Sequence, residues 1–292
     1  MQPKPEPDGV RLRDYERNAT ARLTKAGVDS PRLCAQLLAA HVLGLDRLHC
    51  ILEAERELDP AAMDRLDALT ARRATGEPLA RILGRKEFFS RDFLVTPATL
   101  IPRPETELLV ETALELLPAQ TPLYFADLGA GSGCIGVTLA LERPAWRGLL
   151  LEINAEALAV AQANARRLDA AQRLACLRAD LRQAPLAACS CDLLVSNPPY
   201  IAECERPLVM DEVVRFEPHT ALFSPDHGLA HLQAAVAQAA RALKVGGLLL
   251  LEHGAGQGTA VRGLLAAATV FAHVATRRDL AGLERCTLAW KK

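Results

Sequence analysis

Ser196-Asn197-Pro198-Pro199-Tyr200 closes an apolar run, Leu193-Leu194-Val195, that reads as a short buried strand. Strand ends are where α/β proteins build their sites. Neither proline carries an N–H, so the segment cannot continue as sheet or helix, and the Asn197 side-chain oxygen and the Pro198 carbonyl remain as uncommitted acceptors. Two neutral acceptors side by side fit one NH2 group. Asn-Pro by itself is an ordinary loop starter. Here it stands downstream of Asp127-Leu128-Gly129-Ala130-Gly131-Ser132-Gly133, a glycine loop that follows another apolar run and opens a helical pattern.

The glycines allow the backbone to approach a ligand where a side chain would collide, which marks a nucleotide-cofactor loop. Glu152 ends the next apolar run, where its two oxygens suit two ribose hydroxyls; a solvated charge at a strand end is the plain alternative. Asp180, with the backbone at Leu181, follows the third run and extends the site toward an adenine. Read literally, Gly131-Ser132-Gly133-Cys134-Ile135-Gly136 also matches the dinucleotide fingerprint, so a nicotinamide dehydrogenase is a rival. A dehydrogenase needs a hydride site with a His or Lys acid. Asn-Pro-Pro-Tyr offers neutral acceptors and a ring, which suit methyl transfer to a weakly nucleophilic nitrogen.

The elements that must position these residues begin with helical spacing at Leu12, Tyr15, Ala19, Leu23 and Ala26, ended by Gly27. Ser30-Pro31 predicts an N-cap and N1 for a second helix through Leu33, Leu37, Leu38 and Val42, closed by Gly44; Asp59-Pro60 repeats the device before Met63, Leu66 and Leu69. Residues 1–86 thus read as an all-helical module that either docks a protein or buttresses the rest. Residues 87–103 read as a hairpin with a polar turn at Ser90-Arg91-Asp92 and a linker, the hairpin's aromatics packing between the two parts. Pro104-Glu105-Thr106-Glu107 opens a helix, and residues 104–292 alternate short apolar runs with helices, the pattern of a parallel sheet wrapped by crossovers. The runs are Leu123–Ala126, Gly148–Leu151, Arg173–Leu177, Leu193–Val195 and Leu248–Leu251, followed by a closing pair at Val270–Ala275 and Arg285–Trp290. Helical patterns lie near Cys134–Leu141, Ala155–Leu168, Gly228–Leu243 and Gly258–Ala268.

Composition narrows the class. The 292 residues carry a formal net charge of -1, and the helical module holds 15 Lys and Arg against 13 Asp and Glu, so neither suits a phosphate backbone as main partner. The 8 cysteines include no Cys-x-x-Cys, and Cys189-Ser190-Cys191 has no second pair or nearby histidine, so no metal is expected. Met1–Gly9 is polar and proline-rich without an apolar h-region, and no long apolar run occurs; the expected compartment is the cytoplasm.

With these motifs together, the chain resembles the seven-stranded methyltransferases that use S-adenosylmethionine, in the subgroup that alkylates amino groups conjugated to a carbonyl or ring. Leu100-Ile101-Pro102-Arg103-Pro104-Glu105-Thr106-Glu107, Val214-Arg215-Phe216-Glu217-Pro218 and Gly76-Glu77-Pro78-Leu79-Ala80-Arg81-Ile82-Leu83-Gly84 are similar to stretches of the peptide chain release factor glutamine methyltransferases. The resemblance implies a doubly wound, Rossmann-like seven-stranded sheet with a small helical N-terminal domain that helps hold a class 1 release factor. It implies cofactor contacts from Gly129, Ala130, Gly131, Ser132, Gly133, Glu152, Asp180, Leu181 and Asn197. Substrate contacts would come from Asn197, Pro198, Pro199 and Tyr200, with Asn197 and Pro198 holding the glutamine amide and Tyr200 covering it. The expected protein is a monomer that touches neither membrane nor nucleic acid, although the sequence leaves its oligomeric state open. Two departures stand out: Glu152 where Asp is usual, and Cys134 after the glycines where alanine is common. The same acceptor pair would serve adenine, so a nucleic-acid amino-methyltransferase, a methyltransferase of a ribosomal protein, and a non-catalytic translation-factor binder remain as alternatives.

Overall fold

The structure is a computed structural model that describes residues 10–292; the proline-rich stretch Met1–Gly9 lies outside the described residues. The chain divides into two compact units, the first ending at Gly84 and the second spanning Arg85–Lys292. The first contains α1 (Leu12–Lys25), α2 (Pro31–Leu43), α3 (Arg47–Leu52), α4 (Pro60–Ala74) and α5 (Leu79–Leu83). Its core joins Leu12, Tyr15 and Ala19 of α1 to Ala35 and Ala39 of α2, Cys50 of α3 and Leu66 of α4. Asp59 caps α4 by accepting from the Ala62 N–H at 2.7 Å. Ser30 does not cap α2: it sits in left-handed backbone with no side-chain bond to the helix, so Pro31 alone provides the helical start there. No helix among the described residues is long and apolar enough to cross a membrane.

The second unit opens with a hairpin, β1 (Arg85–Phe88) and β2 (Arg91–Leu94). Its turn is Phe89-Ser90, both at positive φ, and not the polar triplet expected from sequence. Left-handed backbone at both positions is what a two-residue hairpin turn of type I′ requires. Glu107 and Glu87 hold it there by accepting the Phe89 and Ser90 N–H groups, each at 2.8 Å. Phe88 and Phe93 meet edge to face and pack inside the core of this unit, so the hairpin is part of it.

The remaining elements are α6 (Glu107–Leu116), β3 (Tyr124–Leu128), α7 (Cys134–Glu142), β4 (Arg147–Glu152), α8 (Ala155–Arg167), β5 (Leu174–Arg178), β6 (Cys191–Ser196), β7 (Ile201–Ala202), α9 (Asp211–Phe216), α10 (His219–Leu222), β8 (Phe223–Ser224), α11 (Ala230–Ala242), β9 (Leu243–Glu252), α12 (Gly258–Ala267), β10 (Phe271–Arg278) and β11 (Glu284–Lys291). The 7-stranded sheet runs β10-β11-β9-β6-β3-β4-β5, parallel from β9 to β5, with β11 antiparallel to both neighbours. Alternate residues of one strand feed opposite cores. Phe125, Leu193, Val195, Leu248 and Leu250 pack with α6, α7 and α8, whereas Ala126, Leu194, Leu249 and Leu251 pack with α11 and α12. Both faces being covered explains why these strands read as unbroken apolar runs. The chain moves outward from β3 to β5 and returns on the other side of β3 as β6. The carboxyl ends of β3 and β6 therefore form the switch point where open α/β sheets bind ligands.

Gly148 on β4 faces the Phe125 ring tip on β3; an added Cβ would lie 2.2 Å from Phe125 Cζ. Gly148→Ala should lower stability by about 1–3 kcal/mol in urea unfolding, the cost of overpacking. Adding Phe125→Leu should recover part of that loss; a double variant no more stable than Gly148→Ala would show that the ring is not what the methyl meets.

Candidate active site

The glycine loop leaves β3 with Gly129 and Gly131 at φ of 75° and 56°, backbone that side chains rarely adopt. A Cβ at Gly131 would meet nothing within 4 Å, because it would project into open space at the loop. That space is a cavity of about 350 Å³ whose wall includes Gly129, Ala130, Gly131, Ser132, Glu152, Asp180, Leu181 and Asn197. Gly133, also expected at the ligand, is not on this wall. At φ 79° it starts α7, and its Cα faces Ala161 of α8, where a Cβ would come within 3.1 Å. Its glycine is required by packing.

Glu152 is bound into the loop. Its Oε2 accepts from the Gly131 N–H and its Oε1 from the Asn154 N–H, both at 2.9 Å. Each oxygen keeps a second lone pair, so the carboxylate can still take hydroxyl donors at the cavity. The Asn154 side chain caps α8 through the Glu156 and Ala157 N–H groups, so one short turn sets both the helix start and the acid. Asp180 is engaged elsewhere: the Arg182 guanidinium and N–H surround its carboxylate, and the side-chain bonds to Arg182 hold it below the usual carboxylate range. It lines the cavity as half of an ion pair.

Asn197 stands where this cavity meets a second one of about 410 Å³, lined also by Tyr200, Ile201, Val209, Met210, Val213, Glu252 and Arg285. Its Nδ2 donates to Thr106 Oγ1 at 3.1 Å, which leaves Oδ1 as the uncommitted end. Pro199 lies on the wall of the first cavity and Tyr200 on that of the second, whereas Pro198 is buried and on neither. The turn is locked from behind. Gln257 Nε2 donates to the Tyr200 carbonyl at 2.8 Å, and Gly228, at φ 84°, leaves room for that carbonyl, which a Cβ would meet at 2.2 Å. Gly228 accordingly precedes α11 and does not belong to the helix expected there.

Three groups were not picked out by the sequence. Asn164 of α8 is fully buried and bonds Leu94 in both directions while donating to the Ser132 carbonyl at 2.9 Å, tying the hairpin to the glycine loop. Its place in an amphipathic helix pattern hid it. Thr106 looked like a first-turn helix residue, yet it carries Asn197. Glu252 ends β9 with 1 % exposure, its Oε2 unpaired; burial pushes its carboxyl up to about 7, and the Thr106 and Tyr200 hydroxyls and Arg285 pull the other way. An acid at the end of an apolar run was the available signal, the same one that exposed Glu152.

Two of the quoted motifs meet. The Glu217 carboxylate pairs with Arg103 and accepts the Ile101 N–H at 3.0 Å, fastening the loop whose Leu100, Pro102 and Arg103 wall the first cavity. Glu217 is 1 % exposed at its side chain, against 35 % for Arg103. Glu217→Ala should cost on the order of 1–3 kcal/mol and speed hydrogen exchange at the Ile101 amide. An unchanged Ile101 exchange rate would mean that the loop is held by something else.

Residues 15–84 match the family model described as PrmC N-terminal domain, and residues 104–219 match Methyltransferase small domain. The release factor glutamine methyltransferase of Nitratidesulfovibrio vulgaris is 50% identical over 279 residues, 95% of this chain and 94% of that protein. The Escherichia coli protein of the same name is 44% identical over 260 residues, covering 89% and 92%. Among solved structures, the catalytic domain of hMettl16 bound to MAT2A 3'UTR hairpin 6 superposes with a TM-score of 0.57 over 76% of this chain and 81% of that one; at 18% identity the likeness is one of fold. With half of its residues shared along nearly its whole length, this chain belongs to the release factor glutamine methyltransferase family.

Proposed function

We propose that this protein methylates the side-chain amide nitrogen of the glutamine in the Gly-Gly-Gln loop of class 1 peptide chain release factors. The observation that carries this reading is the Asn197 amide: its NH2 end donates to Thr106, which leaves its oxygen as an uncommitted acceptor on a residue that lines both cavities. S-adenosylmethionine, when bound, supplies an electrophilic methyl on a sulfonium. The residues present fit it: Gly129 and Gly131 leave backbone bare at the first cavity, and Glu152 offers a carboxylate for ribose hydroxyls, with Leu181 and the Asp180–Arg182 pair at the next strand end.

A glutamine nitrogen is a poor nucleophile because its lone pair is delocalised into the carbonyl. Asn197 Oδ1 accepts one N–H, which aims the nitrogen and stabilises the positive charge that grows on it; the second N–H falls to the Pro198 carbonyl only in a bound state that exposes it, since Pro198 is buried and on neither cavity wall here. Tyr200 and Pro199 enclose the planar amide. The proton leaves after transfer, when the nitrogen has become strongly acidic, so catalysis rests on orientation. The helical unit that ends at Gly84 serves as the docking module for the release factor, residues 85–103 as hairpin and linker, two residues earlier than the sequence reading of 1–86 and 87–103, and 104–292 as the methyltransferase domain. The protein works in the cytoplasm as a monomer and does not act on nucleic acid. Incubation with labelled cofactor and an extract lacking the enzyme tests the substrate: a labelled release factor supports the reading, and a labelled ribosomal protein or nucleic acid refutes it.

Glu152→Ala should weaken cofactor binding by roughly 1.5–3 kcal/mol per lost charge-assisted bond while sparing the rate at saturating cofactor. Calorimetry decides, and unchanged affinity would remove Glu152 from the site. Asn197→Leu keeps approximate volume and removes the acceptor. It should cost about 3–5 kcal/mol in the transition state, a hundredfold to several thousandfold in single-turnover rate. Asn197→Asp keeps an acceptor but places a charge that also stabilises the ground-state cation, so it should fall between the two. A leucine variant as fast as the parent would take Asn197 out of the mechanism.

A further inference from the structure

Glu252 is the one acid at the substrate-side cavity whose carboxyl is wholly buried yet lacks a partner for one oxygen. It ends β9 beside β6, the strand that leads into Asn197, with Ser196 in register with Leu251. The Tyr200 hydroxyl donates to Glu252 Oε1 at 3.4 Å, and the Thr106 hydroxyl lies against the same carboxyl. Thr106 Oγ1 already accepts from Asn197 Nδ2. A hydroxyl has a single proton. When it accepts from Asn197 it must send that proton elsewhere, and the carboxylate beside it is the acceptor at hand.

We propose that Glu252 is a positioning residue: its ionised carboxylate takes the Thr106 proton, which fixes the Asn197 amide with Oδ1 toward the cavity. Protonation of Glu252 reverses the relay. The carboxyl then donates to Thr106, the Thr106 proton turns to Asn197, and the amide presents oxygen to Thr106 and NH2 to the cavity. An NH2 there opposes the substrate NH2 where an acceptor is needed. The two Asn197 rotamers have nearly the same shape, so packing alone does not choose between them.

The groups facing Glu252 set where the switch falls. Burial and the Glu105 carboxylate raise its pKa; Thr106, Arg285 and Tyr200 lower it, giving about 7. Arg285 is partly spent on Asp279, and Arg103 on the same cavity wall is paired with Glu217. The Cys134 and Cys286 thiols nearby are pushed up to about 12 by burial and stay neutral. Since folding raises this carboxyl, its protonated form is the one the fold favours, and the ionised form prevails only as pH rises through about 7.

The proposal rests on the amide-methylation reading, so its test includes a readout that needs no substrate. The side-chain 15N resonance of Asn197, identified by its loss in N197D, is followed in the full-length protein through pH 7. It should titrate with a midpoint near 7 in the parent and stay flat in E252Q. Single-turnover methylation at saturating cofactor should fall about tenfold per pH unit below the midpoint in the parent. E252Q should lower the high-pH rate roughly tenfold to a hundredfold and abolish that slope, with E252D restoring the slope and cofactor affinity unchanged throughout. T106V and E252Q together should be no slower than the slower single variant, because they cut one relay. If E252Q does not fold, the parent titration and T106V decide. A flat Asn197 resonance in the parent, or a pH slope that survives in E252Q, overturns the proposal. A titrating resonance with no labelled release factor would instead leave the relay standing and refute the substrate reading.

Discussion

The adjacency of the β3 and β6 carboxyl ends is the constraint on which the site depends. Parallel pairing of Leu128 with Ser196 brings the glycine loop and the Asn-Pro-Pro-Tyr turn out of the sheet side by side. Ser196 fastens them by donating to the Leu128 carbonyl at 2.6 Å in a fully buried position. A one-residue slip in this register would turn every alternate side chain to the wrong core, so the two-sided apolar packing that stabilises the sheet also fixes the distance between the two motifs. Folding energy and site geometry are set by the same pairing.

Around that pairing, the polar groups hold loops that carry little packing of their own. Asn164 joins the hairpin to the Ser132 carbonyl, Gln257 holds the Tyr200 carbonyl, and Glu217 holds the Ile101 amide. Each satisfies a backbone group that would otherwise be left without a partner away from water. The loops are thereby rigid without being regular. This suits a reaction in which the protein's contribution is to aim a planar amide.

The strands and crossovers were legible because burial on both faces produces continuous apolar runs, and the glycine loop and the prolines were legible because their backbone needs are peculiar to those residue types. The hairpin turn was misplaced by its own logic: Ser90-Arg91-Asp92 is the polar stretch, but the turn at Phe89-Ser90 is imposed by Glu107, a residue remote in sequence. Ser30 failed as a cap because serine's preference for that position is a tendency that the local backbone overrode. A glycine in such a loop signals either a ligand or a neighbouring helix, and at Gly133 the missing side chain admits the close approach of α8. Thr106 and Asn164 could not be found, since a buried threonine or asparagine on a helix becomes informative only when the group it faces is known.

Three glutamates at this site show how burial alone does not decide what a carboxyl does. Glu152 is half-buried and ringed by backbone N–H groups, so it is held ready for further donors at the cavity. Glu217 is buried deeper, yet a guanidinium and an amide answer both of its oxygens, and its role is to tie a loop. Glu252 is as deep as Glu217 but meets hydroxyls, which can reverse the sense of their hydrogen bonds, where Glu217 meets donors that cannot. An N–H or a guanidinium favours the charged acid. A hydroxyl can donate to the ionised form and accept from the protonated one, so a carboxyl among hydroxyls near neutrality retains two states, and any amide at the far end of the hydroxyl is coupled to them.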